Sequence, residues 1–173
     1  MNKLKKIIIF LASSSFAFSF YENVNSFEAN FVQRVDSDGT EVLYKGKLSV
    51  QKPNQAVWQY INPVNKQIVI NNDQVVVIEP ELQQVTFRKN SQGLQITDLI
   101  NKSKKLEENR YVAEINNKKY LLLLKDGKLN RIIYEDEMEN GVEITLIDIK
   151  ENSKIDKNIF SPKIPADYDK LYQ

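Results

Sequence analysis

The sequence predicts a mainly β domain with a smaller helical part, in which the strands follow one another as an antiparallel meander. Two observations lead to this expectation. Long stretches alternate apolar and polar residues with a period of two, as half-buried strands do. Asn, Asp and Gly pairs that tolerate the backbone of tight hairpins stand between many of these stretches. Consecutive hairpins make an antiparallel sheet, because parallel strands need longer crossover connections.

The clearest strand pattern runs over residues 42–50. Apolar residues and one glycine occupy its even positions, which are therefore predicted to face a core: Val42, Tyr44, Gly46, Leu48 and Val50. Further strands are predicted at residues 56–61, 67–71, 75–79, 82–88, 110–116, 119–125, 128–135 and 141–149. Turn residues separate many of them, at positions 71–73, 116–117, 126–127 and 140–141.

Two helical segments are predicted outside the meander. The first covers residues 20–35 and ends at a turn over residues 36–39, because apolar residues recur there at steps of three and four: Phe20, Val24, Phe27, Phe31 and Val35. The second interrupts the sheet at residues 92–108, where strand alternation is lost. One or two short amphipathic helices are expected there, with an apolar face made by Leu94, Ile96, Leu99 and Ile100.

Two of the predicted strands are apolar in both directions, at residues 74–78 (QVVVI) and 120–124 (YLLLL). Two explanations are open at this point. Helices cover one face while the strands curl around a core on the other, or one face lines a cavity. The tail at residues 160–168 (FSPKIPADY) carries two prolines and is predicted to be an extended edge segment.

Residues 1–19 have the pattern of a cleaved secretory signal peptide, with Lys3, Lys5 and Lys6 before a short apolar run and small residues near Ala17 and Ser19. The run is too short for a membrane span. Residues 20–173 are expected to form one exported, soluble domain. The chain has no cysteine, which excludes a lipid-anchored lipoprotein and a disulfide-rich fold. Removal of the three lysines takes the formal charge from +1 to −2, so nucleic acid is not expected as a partner.

Catalytic chemistry is poorly supported by the residue types present. The chain has no histidine and no cysteine, which removes the usual nucleophile–base pairs and nearly all zinc or copper ligands. Its five glycines form no phosphate-binding loop. The acidic cluster of Glu135, Asp136, Glu137 and Glu139 lies in a predicted hairpin turn and lacks the spacing of a calcium loop. We expect no catalytic residue, no metal and no cofactor.

Several motifs occur together in an order that resembles the LolA family, the periplasmic carriers of outer-membrane lipoproteins. They are SFEANFVQ at residues 26–33 in the predicted first helix, YKGKLSVQKP at residues 44–53, Trp58 five positions after Pro53, a second proline at Pro63, and LQQVTF at residues 82–87. The resemblance extends from about residue 20 to Phe160 and Pro165. Each motif alone is weak, and their common order carries the resemblance.

The resemblance implies an open, curved and unclosed antiparallel β-barrel, covered by a lid of short helices and enclosing an apolar cavity for acyl chains. It implies a periplasmic chaperone that takes lipoproteins from an inner-membrane ABC transporter and delivers them to an outer-membrane receptor or membrane surface. Such a protein is not an enzyme, and we expect it to act as a monomer.

The resemblance also assigns residues to the cavity and to its lid. Family members usually have an arginine before the proline of the KP motif, so Lys52 corresponds to a latch on the lid backbone, and the alternative is an ordinary surface lysine. Pro53 is expected at a strand end on the barrel rim. Ile96, Leu99 and Leu94 are expected on the inner face of the lid. Apolar character and strand phase select the cavity wall: Leu48, Val50, Trp58, Tyr60, Ile68, Val77, Phe87, Leu122, Leu124 and Ile144.

Two other functions share these arguments. A similar fold resembles the lipid-sensing part of periplasmic regulators of anti-sigma factors, although those regulators carry a second domain. The third candidate function is the binding of a small apolar metabolite by a barrel of this kind. The ligand distinguishes these functions, since a bound lipoprotein favours the carrier and a free lipid favours the others.

Overall fold

The computed structural model describes residues 21–89 and 96–173. The predicted signal peptide and Leu94 of the predicted lid lie outside the described residues. Within those two ranges, none of the helical segments has both the length and the apolar character needed to cross a bilayer.

The described ranges form twelve strands, one α-helix and two 3₁₀ helices. The strands are β1 (Ser26–Ser37), β2 (Thr40–Gln51), β3 (Gln55–Asn62), β4 (Lys66–Asn71), β5 (Gln74–Glu79), β6 (Gln84–Lys89), β7 (Lys104–Glu107), β8 (Arg110–Ile115), β9 (Lys118–Lys125), β10 (Lys128–Glu135), β11 (Gly141–Glu151) and β12 (Asp169–Tyr172). Helix α1 (Ile96–Lys102) lies between β6 and β7, and the 3₁₀ helices span Pro80–Leu82 and Lys157–Phe160.

All twelve strands belong to one sheet, in the order β12-β6-β5-β4-β3-β2-β1-β11-β10-β9-β8-β7. Strands β1 to β6 pair consecutively and antiparallel, as do β7 to β11, and the β1–β11 pair joins the two runs. The parallel pairing of β12 with β6 is the exception to the predicted antiparallel meander. Since β12 and β7 are the two ends of this order, the sheet is unclosed. The predicted mainly β, open fold is confirmed.

The sheet curls strongly enough to bring its two halves face to face. Arg88 on β6 and Tyr134 on β10 line one pocket of about 160 Å³, although six strands (β5, β4, β3, β2, β1 and β11) lie between them in the hydrogen-bonded order. In a flat sheet, strands seven steps apart are separated by roughly 34 Å, at about 4.8 Å per step. Their position on one small pocket therefore requires a curved, barrel-like sheet.

The concave side of the sheet holds the main core, which we call the inner cluster. Its members come from both halves of the sheet, from α1 and from the residue at the start of the described chain. They are Tyr21, Phe27, Ala29, Phe31, Leu48, Val50, Ala56, Trp58, Ile70, Val75, Ile96, Leu99, Ile100, Tyr111, Ala113, Tyr120, Leu122, Leu129, Ile132, Val142, Ile144 and Leu146.

A second buried cluster lies on the convex side, and we call it the outer cluster. It contains Val57, Val69, Val76, Ile78, Val85, Ile155 and Phe160. The first five stand on β3 to β6, and the last two belong to the C-terminal segment that covers them. Asn71 Nδ2 donates a hydrogen bond to the Phe160 carbonyl at 3.4 Å, which fastens this segment to β4. The doubly apolar sequence at residues 74–78 is thereby explained, because β5 has a buried cluster on each face.

The helix predicted at residues 20–35 is wrong, because residues 26–37 form strand β1. A step of four residues fits both one turn of a helix and two repeats of a strand, so Phe27 and Phe31 do not distinguish the two structures. The residues at positions 29 and 33 distinguish a strand from a helix, because in a strand they lie on the same face as Phe27 and Phe31. Ala29 is buried beside Phe27 and Phe31, and Gln33 continues the same inward-facing row, but neither is hydrophobic enough to reveal a period of two in the sequence.

Smaller differences occur at segment ends. The predicted break at residues 92–108 contains α1 as expected and also the short strand β7, whose four residues are exposed. Of the even positions predicted to face a core on β2, Val42 is exposed. The expected positive φ values occur at Asn72, Asn116, Asn117, Asp126 and Gly127. At the last hairpin the positive φ falls on Glu139 instead of residues 140–141.

Gly46 allows the Phe31 ring to pack directly against the backbone of β2. It lies opposite Phe31 on β1 and Tyr60 on β3. A Cβ atom at this position would lie 2.1 Å from the Gln59 carbonyl oxygen and 2.6 Å from Phe31 Cζ. The Phe31 ring occupies the space that the missing side chain leaves, so the glycine is required by packing.

Substitution Gly46→Ala is expected to lower the free energy of unfolding by about 3 kcal/mol or more, since the new methyl group collides with backbone as well as with a ring. Denaturant unfolding of the purified chain measures this change. The control is Gly141→Ala, whose Cβ would have the Asp36 Cβ atom at 4.0 Å as its neighbour. Equal stability of the two variants would contradict the packing role.

Candidate functional site

A pocket of about 160 Å³ opens on the concave side of the sheet, between its two halves. Its walls come from β1, β3, β4, β5, β6, β10 and β11. Most of the lining is aliphatic or aromatic: Trp58, Tyr60, Ile68, Ile70, Val75, Tyr134 and Ile144, together with Gln33 and Arg88. The curvature of the sheet creates this pocket, because its walls include strands that are distant in the sheet order.

Three aromatic rings form one side of the pocket and the core beneath it. Phe31 contacts Trp58 and Tyr60 edge to face, with ring centroids 5.2 Å and 5.1 Å apart. Such T-shaped contacts are favourable because a positive ring edge meets a negative ring face. The Tyr60 hydroxyl donates to Gln33 Oε1 at 2.8 Å, which satisfies the polar tip of a largely apolar residue. Lys66 Nζ lies 4.9 Å from the centroid of the Tyr60 ring, in a cation–π contact.

The pocket tyrosines are neutral at physiological pH. Burial, with a smaller effect of the neighbouring Tyr44, raises the pKa of Tyr60 to about 12. Burial likewise raises the pKa of Tyr134, and the nearby Tyr60 hydroxyl adds to this effect. The phenols therefore act as hydrogen-bonding groups and bring no negative charge into the pocket.

The structure places the predicted cavity residues in three groups. Trp58, Tyr60, Ile68 and Ile144 line the pocket. Leu48, Val50 and Leu122 are buried in the inner cluster, and Val77 and Leu124 are partly buried against it. These nine residues share the concave side of the sheet. The tenth, Phe87, does not.

Phe87 lies on the convex side, so its assignment to the cavity wall is corrected. It pairs with Val76, a member of the outer cluster, and packs partly buried against that cluster. Its ring stacks on Tyr172 of β12 at a centroid distance of 5.2 Å. Residues 82–88 carry apolar side chains at irregular spacing, so the alternation does not fix the phase of β6. The inward positions are occupied by the less apolar Thr86 and Arg88.

Five pocket residues were not predicted from the sequence. Ile70 and Val75 share the strand phase of Ile68 and Val77, so the alternation contained the signal for them. Gln33 was missed because its segment was assigned to a helix. Tyr134 stands on a correctly predicted strand without a distinguishing pattern. Arg88 was missed because a search for apolar residues passes over a charged one.

Helix α1 covers part of the inner cluster. Ile96 and Leu99, which were predicted on the inner face of the lid, are fully buried, and Ile100 is nearly so. A space of about 10 Å³ remains between the helix, the residues before β1 and the end of β2. This space is at the lower limit for one water molecule. The helix is therefore closely packed over the concave side.

The turn between β2 and β3 contacts both the helix and the N-terminal residues. Lys52 Nζ donates to the Tyr21 carbonyl at 2.8 Å, and the Lys52 backbone N–H donates to the Asn25 carbonyl at 2.8 Å. Asn54 Oδ1 accepts a hydrogen bond from Thr97 Oγ1 of α1 at 3.5 Å. Pro53 lies between the two contacting residues, after a cis peptide bond. The Lys52 side chain thus holds the segment before β1, and Asn54 contacts the helix.

The acidic residues at 135–139 form an exposed turn. Asp136 accepts hydrogen bonds from the backbone N–H groups of Met138 and Asn140 and from the Asn140 side chain. Desolvation is the largest single effect on the pKa of Asp136 and raises it, but the hydrogen bonds from Asn140 and Met138 together outweigh it and hold the pKa below its ordinary value. In the part of the chain that the structure describes, no three Asp or Glu side chains converge in a way that could hold a metal ion.

Comparisons with known proteins relate this geometry to one family. Residues 22–163 match the family described as "Outer membrane lipoprotein carrier protein LolA". The outer-membrane lipoprotein carrier protein of Campylobacter jejuni is 33% identical over 95% of this chain and 97% of its own length. The proteins of that name from Wolinella succinogenes and Helicobacter pylori J99 are 29% and 34% identical, over 88% and 80% of this chain and 90% and 75% of theirs.

Solved structures agree on the fold. A LolA superfamily protein from Nitrosomonas europaea has a TM-score of 0.50 at 15% identity, over 82% of this chain and 96% of its own. An uncharacterized conserved protein from Thermus thermophilus reaches 0.57 at 11% identity, over 90% and 95%. Together with the match over residues 22–163 and the 33% identical relative, the curved sheet and its covering helix place this chain in the LolA family of outer-membrane lipoprotein carrier proteins.

Proposed function

We propose that this chain is a periplasmic carrier that accepts lipoproteins from an inner-membrane ABC transporter, holds their acyl chains against the inner cluster and delivers them to the outer membrane. The observation that carries the proposal is the concave apolar surface, which has an open pocket on one part and a small, closely packed helix on another. The names of the relatives support lipoprotein as the cargo. Binding and transfer of this kind need no catalytic step.

The physical task is to carry hydrocarbon through water. A chain of about 15 methylenes prefers apolar surroundings by roughly 12 kcal/mol, at about 0.8 kcal/mol for each buried CH₂. A lipoprotein with several acyl chains cannot cross an aqueous compartment unescorted at a useful rate. The inner cluster offers an apolar surface of the required kind on the side of the sheet that is shielded from bulk water.

Release of the lipoprotein requires that other apolar side chains cover this surface when the acyl chains leave. In the structure, Ile96, Leu99 and Ile100 of α1 occupy apolar contacts on the concave side. Acyl chains that enter the same region displace the helix, so part of the free energy gained with lipid is lost with the helix. The carrier thereby binds lipid more weakly than an open groove would, and it can deliver lipid to a membrane.

The turn at residues 52–54 acts as the latch of the closed state. Lys52 fixes the N-terminal segment and Asn54 meets α1, so the turn connects the two pieces that bound the small gap at the helix. A lysine donates from a flexible stem and lacks the planar fork of an arginine. We therefore infer a latch that opens more easily than an arginine latch would.

The direct test combines the purified mature chain, inner-membrane vesicles loaded with a lipoprotein, and the cognate transporter with ATP. We expect lipoprotein in the soluble fraction, bound to this chain in an ATP-dependent manner. A lipid or other small apolar molecule bound in place of lipoprotein would support a lipid-binding or sensing domain. Absence of lipoprotein from the soluble fraction would contradict the carrier.

Substitution Lys52→Leu is expected to impair hand-off more than loading. It removes the hydrogen bond to the Tyr21 carbonyl, which we assign to the closed state of the lid. Bonds from charged groups contribute about 1.5–3 kcal/mol, and the lower end corresponds to roughly tenfold in an equilibrium. The partition of lipoprotein from the purified complex to acceptor vesicles that carry the outer-membrane receptor should fall by about this factor.

Lys47→Leu is the matched control, since Lys47 stands on β2, the strand that leads into the turn with Lys52, faces outward and is exposed. Its hand-off should equal that of the unmodified chain. A Lys52→Leu variant that transfers lipoprotein as completely as the control would contradict the latch role of Lys52.

A further inference from the structure

Arg88 is the charged residue among those that line the apolar pocket. It occupies an inward position on β6, opposite Val75, and its neighbours in the pocket wall include Ile70 and Trp58. The side chain is exposed, so its guanidinium stays hydrated while its stem borders the pocket. A cation is thus placed at the border between an apolar cavity and water.

This guanidinium has no acidic partner among the residues that the structure describes, since no carboxylate of residues 21–89 or 96–173 lies within 4.0 Å of it. Asp73 borders a neighbouring groove that Arg88 also lines, but it lies beyond ion-pair distance. Other arginines of the sheet are paired: Arg34 with Glu41 and Glu143, and Arg131 with Glu143. Arg88 therefore differs from the surface cations that neutralise neighbouring strands.

The other polar groups of the pocket also suit an anion. Gln33 uses its Oε1 atom to accept from Tyr60, which leaves its amide N–H groups as donors. Tyr134 remains protonated and can donate. Lys66, on the inward face of β4, adds a second positive charge on the same side of the sheet, at the Tyr60 ring. No carboxylate occurs among the residues that line the pocket.

We propose that this pocket binds an amphiphile with an anionic head group, a carboxylate or a phosphate, which pairs with Arg88 while its hydrocarbon chain packs against Trp58, Ile68 and Ile144. The inference rests on the proposed function, because the chain would occupy part of the surface assigned to acyl chains. It goes further in naming a charged head group as a recognised feature. Uncharged acyl chains would leave the guanidinium without a partner, whereas fatty acids and phosphate-bearing lipids match both parts of the site.

The test uses the single tryptophan of the chain, which lines the pocket and is therefore a local reporter. The full mature chain is titrated, below the micelle concentration, with laurate, dodecyl phosphate and 1-dodecanol, which share one hydrocarbon chain and differ in the head group. The change in Trp58 fluorescence gives each Kd. We expect at least one anion to bind about tenfold more tightly than the alcohol, as one charge-assisted hydrogen bond would produce. Laurate and dodecyl phosphate separate a carboxylate source from a phosphate source.

Arg88→Gln should abolish the preference for the anion and leave the Kd of 1-dodecanol unchanged. Lys89→Gln removes the same charge from the same strand on its other face, and it should retain the preference. Equal affinities for anion and alcohol in the unmodified chain, or a preference that survives Arg88→Gln, would overturn the inference. Lipoprotein pickup from vesicles is measured in parallel. Lipoprotein pickup without a preference for the anion would contradict the head-group site alone. Failure of lipoprotein pickup together with failure to bind any of the three ligands would contradict both proposals.

Discussion

The central constraint on this molecule is that much of its sheet is apolar on both faces, and each face must be covered. The convex side of β3 to β6 is covered by the chain's own C-terminal segment, through Ile155 and Phe160. The concave side is covered by curvature, which brings the two halves of the sheet together, and by α1. Gly46 permits that curvature to be densely packed, because the Phe31 ring lies where a side chain would stand.

The two covers differ in how firmly they are attached. The C-terminal segment continues into β12, which pairs with β6 along Gln84 to Phe87, so backbone hydrogen bonds secure it to the sheet. Helix α1 has seven residues and makes no ladder with the sheet; its apolar side chains and the Thr97–Asn54 hydrogen bond hold it in place. An isolated helix of this length has little stability of its own. Helix α1 is thus the more weakly attached of the two covers, which is why we propose that acyl chains displace it.

Much of this architecture was predictable from the sequence because period-two alternation and hairpin residues act locally. Strands β3 to β6 and β8 to β11 were found with small errors at their ends, whereas the short edge strands β7 and β12 were missed. The failures have physical causes. Phe27 and Phe31 fit a helix and a strand equally well, and the pairing of β1 with both β2 and β11 decided between them. Phe87 faces outward because β6 has Thr86 and Arg88 on its inward face. The pairing of Lys52 with Tyr21, distant in sequence, follows from the fold and from no local pattern.

The claim that lipid and α1 compete for one apolar surface is tested most directly by hydrogen exchange. Backbone amides of residues 96–102 are compared between the empty chain and the purified lipoprotein complex, with the β1–β2 ladder as an internal reference. We expect faster exchange in α1 when lipoprotein is bound and no change in the β1–β2 ladder. A helix that stays equally protected in the loaded state would contradict the displacement of the lid.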